Sequence, residues 1–96
     1  MHPAHRGTAR AQIRGEIDLA SYHHVGSFLV AQLDNAAGPV RVDLSEVTFF
    51  AAAVVRMLLA TVDTARRRGV PLQFERLSRL VRTVLDATGT RAPLGC

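Results

Sequence analysis

Residues 40–59, VRVDLSEVTFFAAAVVRMLL, constrain the fold of this chain more than any other stretch. Val40 to Leu44 alternates Val, Arg, Val, Asp, Leu, the period of a strand, and 47–50 extends that strand or starts its successor after a turn at Ser45-Glu46. From Ala52 to Arg68 the period changes. Val54, Val55, Met57, Leu58, Leu59, Val62 and Ala65 cover more than one face of a helix, so a largely buried helix is expected there. An apolar strand that feeds through a short turn into an apolar helix is the working unit of a layered α/β domain.

The flanking sequence repeats the alternation of strand and helix. Over 8–17, Ala9, Ala11 and Ile13 alternate with Arg10, Gln12 and Arg14, the pattern of a half-buried strand. Residues 18–21 offer helix-capping chemistry, and Val25, Phe28, Leu29, Leu33 and Ala36 recur at helical spacing down to the break at Gly38-Pro39. Arg66, Arg67 and Arg68 close the second helix, where cations oppose the helix dipole, and Gly69 supplies its left-handed cap. Residues 71–75 read as a further strand. Ser78 caps a final helix with the stripe Leu77, Leu80, Val81, Val84, Leu85 and Thr88, stopped by Gly89; its other face carries Arg76, Arg79 and Arg82. Residues 1–7 are expected to be a flexible N-terminus, 8–89 the domain, and 90–96 a tail.

At 96 residues the chain makes one domain with a modest core, and with about half its residues apolar it is not a disordered chain. No apolar run reaches the roughly 20 residues that span a bilayer, and MHPAHRGTAR lacks the apolar stretch of a secretory signal, so a cytoplasmic location is expected. The one cysteine, Cys96, precludes an intramolecular disulfide and is expected to be a frayed terminal thiol. The net charge of +4 comes entirely from arginine over acid, and a solvated surface accounts for it. His23 and His24 are adjacent, so on a helix they point about 100° apart and do not make one metal site; His2 and His5 lie in the N-terminus. No nucleophile–base constellation, carboxylate pair or phosphate loop is present, so no enzymatic activity, cofactor, metal or small-molecule substrate is expected.

Taken in order, Gly15-Glu16-Ile17-Asp18, then Asp43-Leu44-Ser45-x-Val47-x-Phe49, then Leu58-Leu59, then RLSRLVRTVLDATG at 76–89 resemble the STAS domain family of bacterial anti-sigma factor antagonists. The resemblance covers about 13–89. It implies an α/β fold with a central mixed sheet of about four strands, an N-terminal hairpin-like strand pair and three main helices, with the family's last strand and helix absent. In the family, the turn before the second helix carries a serine that an anti-sigma kinase phosphorylates to release its antagonist. Here Ala51 stands at the family's aspartate, Ala52 and Ala53 at its two serines, and Val54 and Arg56 at its glycines. No phosphoryl acceptor is therefore expected at Ala51, Ala52 or Ala53.

The resemblance implies a non-catalytic regulator of transcription that binds a protein partner through Asp18, Ser45, Thr48, Ala52, Ala53 and Arg56. That partner would be an anti-sigma factor of kinase type or another STAS-domain protein, with no membrane. Ser45 lies upstream of the family's switch position, and a turn role hydrogen-bonding the backbone suits it. Two further readings stand beside this one: a degenerate structural subunit of a multi-STAS signalling assembly, and a basic nucleic-acid module on the Arg76, Arg79, Arg82 face.

Overall fold

The computed structural model describes residues 8–96. Strand β1 (Ala9–Ile17) runs parallel to β2 (Val40–Phe50), which runs parallel to β3 (Leu72–Glu75), in the order β1-β2-β3. Between them come α1 (Tyr22–Asp34) and α2 (Val54–Arg68), followed by α3 (Arg79–Thr88) and α4 (Arg91–Leu94). Among the described residues the sheet has three strands, all parallel, where a mixed sheet of about four was expected. The hairpin partner of β1 is not among these residues, and the expected flexible segment 1–7, with His2 and His5, lies outside them.

Alternation along the strands decides which face is buried. Ala11, Ile13 and Ile17 of β1, Val40, Val42 and Leu44 of β2, and Phe74 of β3 join one core with Leu29 and Leu33 of α1, Val54, Val55 and Leu58 of α2, and Val81 and Leu85 of α3. The opposite face of the sheet is polar: Arg10, Gln12, Arg14 and Glu16 stand beside Arg41, Asp43 and Glu46, with Gln73 and Glu75 beyond. Parallel sheets are usually covered on both faces and read as continuous apolar runs. Here one face is open, which is why the strands alternate. Ion pairs lace it, Arg10 and Arg41 reaching Glu75 at 3.5 and 3.6 Å and Arg14 reaching Glu46 at 3.7 Å.

β2 is uninterrupted where a turn was expected at Ser45-Glu46. The turn chemistry is present, since the Ser45 amide donates to Asp43 Oδ1 at 2.7 Å, but it is expressed as a bulge. Gln12 faces Asp43 and Arg14 faces Glu46, so Ile13 alone opposes Leu44 and Ser45; Gly15 faces Val47 and Glu16 faces Phe49, so Thr48 has no partner. β2 thus carries two more residues than β1 over the same span.

The helix ends follow the sequence. Gly69 and Gly89 take the left-handed conformation after α2 and α3, and Ser78 Oγ accepts from the Val81 amide at 3.2 Å. Arg67 pairs with Asp63 at 2.5 Å and Arg68 with Asp34, joining the end of α2 to that of α1. α2 begins at Val54 rather than Ala52. Residues 91–94, expected as tail, form α4 and bury Leu94 in the core; a single helical turn is too short to show periodicity. Cys96 is half-buried rather than frayed: its amide donates to the Arg91 carbonyl at 2.9 Å, and burial raises its thiol pKa.

Candidate partner-binding site

β1 and β2 end side by side. Ile17 faces Phe50, and the Ala51 amide donates to the Ile17 carbonyl at 3.0 Å. The β1–α1 and β2–α2 turns therefore emerge together at the carboxyl end of the strands, the end at which open α/β sheets bind their ligands.

In the first turn Asp18 organises the backbone. Its Oδ1 accepts from the amides of Ala20 and Ser21 and from the Ser21 hydroxyl, each at 3.0 Å, while Ser21 Oγ accepts from the Asp18 amide at 3.0 Å. The Ser21 hydroxyl first, then its amide, hold the Asp18 carboxyl below the usual carboxylate range. With its acceptors committed to this turn, Asp18 positions the loop, and Leu19 projects from it 65% exposed.

The second turn is built from three alanines and a tightened helix start. The amides of Val54, Val55 and Arg56 donate back to the carbonyls of Ala51, Ala52 and Ala53 at 2.9, 3.1 and 3.3 Å. Amides usually left free at a helix start are thereby used in three-residue turns, so they do not form the open anion cradle that a relaxed first turn would present. Ala52 and Ala53 are exposed, Val54 and Val55 buried. Arg56 is exposed in the first turn of α2 and pairs with no acid among the described residues.

Of the residues expected here, Asp18, Thr48, Ala52 and Ala53 gather at this end, with Arg56 behind them. Ser45 does not join them. It lies mid-strand opposite Ile13, and at about 3.3 Å per residue seven positions separate it widely from Ala52. Phe49, 46% exposed beside Glu16 on the open face, and Leu19 belong to the site although no polar motif marks them. Phe49 has a signal: of two consecutive phenylalanines in a strand only one can face the core, and Phe50 does.

The remaining candidates are dispersed. Arg76, Arg79 and Arg82 are all exposed, but Arg76 leans to Asp43 at 3.7 Å. His23 and His24 are exposed at the start of α1, and no three potential metal ligands cluster among the described residues. A groove of about 470 Å³ separates α1 from α2, where Gly26 lets Met57 approach. Among the described residues no helix is long and apolar enough to cross a membrane.

A family model described as "Mlab, STAS domain" matches residues 2–94, and the chain belongs to the STAS family. The fold is similar to that of the anti-sigma factor antagonist SpoIIAA in its unphosphorylated form, with a TM-score of 0.72 at 17% identity over 98% of this chain and 79% of that one. It is also similar to the STAS domain of a SulP transporter from Vibrio cholerae, with a TM-score of 0.69 at 16% identity over 94% of this chain and 70% of that one. No curated protein matches the sequence.

Proposed function

We propose that this STAS domain is a non-catalytic binding module of the anti-sigma factor antagonist type, acting in the regulation of transcription in the bacterial cytoplasm. It docks a protein partner at the end of the sheet where Leu19, Thr48, Phe49, Ala52 and Ala53 meet. The observation that carries this reading is the exposure of Leu19 on the first turn and of Phe49 at the end of β2, beside the Ala51–Ile17 hydrogen bond that joins the two turns. Large apolar side chains set among small ones on a rigid support suit a hot spot for a protein. The partner is an anti-sigma kinase or another STAS-domain protein. With alanines at the switch positions, binding is constitutive with respect to phosphorylation there.

The test is a pull-down from the native cytoplasm followed by calorimetry with the captured protein. Leu19→Asp and Ala52→Glu are expected to weaken binding at least roughly tenfold, as a charge placed in an apolar contact does. Arg79→Glu on α3 is expected to leave it unchanged. Loss of affinity with Arg79→Glu alone would move the interface to the basic helix and end this reading.

A further inference from the structure

We infer that the groove between α1 and α2 receives one amphipathic helix of the protein partner, laid antiparallel to both, with an acidic residue at its C-terminal end against Arg56. The inference rests on the reading that a protein docks at the carboxyl end of the sheet. It adds the form and the direction of the segment that enters beside that end.

The groove has the shape of a missing helix. β1 and β2 are parallel, and each hands on to a helix that returns along them, so α1 and α2 run in the same direction. Two contacts fix their register: a Cβ on Gly26 would stand 3.3 Å from Met57 Cγ, and at the other end Asp34 pairs with Arg68. The furrow between them runs from Tyr22 to Asp34, about 18 Å at the rise of an α-helix, which suits a segment of about three turns. Its crests are small. Ser27, Ala31 and Ala60 are exposed along it, so a third helix can settle at the axial distance of about 8–10 Å of ordinary helix packing. The Thr61 and Thr64 hydroxyls donate to the carbonyls of Met57 and Ala60 at 2.9 and 3.0 Å, leaving no donor on the floor unmet. With Val30 and Met57 half-buried between them, the surface suits the apolar stripe of an incoming helix.

Charge sets the direction. Parallel helices place both N-termini at one end, and neither first turn contains an acid to balance the helix dipole. Arg56 stands at that end, one turn before Ala60, with no acid partner among the described residues. At the far end the acids are taken, Asp63 by Arg67 and Asp34 by Arg68. The end beside the β2–α2 turn is therefore the positive one, and it attracts the negative C-terminus of a helix together with a carboxylate. A second copy of this chain does not supply that helix, because α1, α2 and α3 turn their apolar stripes into the core.

Photocrosslinking on the whole chain tests it. A p-benzoylphenylalanine placed at Ser27 or Ala60 and irradiated in the native cytoplasm should capture one segment of one protein, mapped by mass spectrometry; the same group at Ala87 on α3 should not. A synthetic peptide of that segment is expected to gain helix on binding, followed by circular dichroism. Ala31→Trp, which fills the groove from an exposed position, and Arg56→Glu should each raise its dissociation constant at least roughly tenfold. Replacing the peptide's C-terminal acid by arginine should restore binding to Arg56→Glu, which also controls for misfolding. Capture of a second copy or of no protein, a peptide that binds without becoming helical, indifference to Ala31→Trp, or no rescue by the exchanged charge would overturn the inference. The reading beneath it fails separately. If Leu19→Asp and Ala52→Glu leave the affinity of the whole partner unchanged, the docking end is wrong whatever the peptide does; if they weaken it and the groove variants do not, the docking end stands and the helix falls.

Discussion

The amide of Ala51 donates to the carbonyl of Ile17 at 3.0 Å, and this bond joins the β1–α1 and β2–α2 turns at the carboxyl end of the strands, the end proposed to bind a partner. One side of it is a loop ordered by Asp18 and Ser21; the other is a helix start with no hydroxyl and no acid in its first turn. The site is thus rigid in backbone and plain in chemistry, a combination suited to being recognised rather than to reacting.

Incubation with an anti-sigma kinase and ATP should add no phosphate at residues 51–53, because alanine has no acceptor oxygen. Intact mass followed by peptide mapping checks it. The hydroxyl nearest the turn in sequence is that of Thr48, exposed at the second bulge. Phosphate found on Thr48 or Ser45 would mean that the acceptor has moved, and constitutive binding would no longer hold.

Leu58 is 1% exposed at the centre of the core, between Val54 and Val62 of α2. Leu58→Ala should cost about 2–5 kcal/mol in denaturant unfolding, as buried leucine truncations do. A loss below about 1 kcal/mol would be incompatible with α2 as the buried helix of the fold.

Ser78 caps α3 through the Val81 amide. Ser78→Ala should cost about 1 kcal/mol, and Ser78→Asp should keep most of the stability, because either oxygen can accept the same bond. Thermal unfolding of the three proteins separates the cap from a general effect of substitution.

Acid should weaken the fold through Asp18 and Asp43. Hydrogen bonding from the Ser45 hydroxyl and amide, with Arg76 nearby, holds the Asp43 carboxyl below its usual range, as Ser21 does for Asp18. A carboxyl whose folded pKa is depressed releases its proton more readily in the native state. Its stabilisation is therefore complete above the unfolded value of about 3.9 and fades as pH falls through the lower folded value. Unfolding followed from pH 7 downward should show this acid limb, shallower in Asp43→Asn than in the parent chain.

Much of the architecture was legible in the sequence because its period-2 and 3.6-period segments are long and end on residues with strong local preferences. Gly69, Ser78 and Gly89 each do at the helix ends what their chemistry dictates. The turn expected at Ser45 was misplaced because Asp43 and Ser45 make the same local contact in a bulge as in a turn, and only the neighbouring strand decides between them. The burial of Leu94 is not legible in the sequence, since one helical turn has no period to read. The exposure of Leu19 and Phe49 is not legible in the sequence, because isolated apolar residues look alike there whether they face the core or solvent. Ser45 is close to the turn in sequence, and the extended strand between them converts that spacing into distance.

The two unmatched residues of β2 make that strand the one place in the sheet with length to spare. Removing an ordinary strand residue exchanges the faces of everything beyond it, and would turn Phe50 out of the core. Removing Ser45 or Thr48 would instead take out one of the two bulges, leaving Val47 and Phe50 facing inward. The backbone could then shorten just before the Ala51–Ala53 turn without unfolding the core, so the reach of that turn can vary while the scaffold beneath it stays the same.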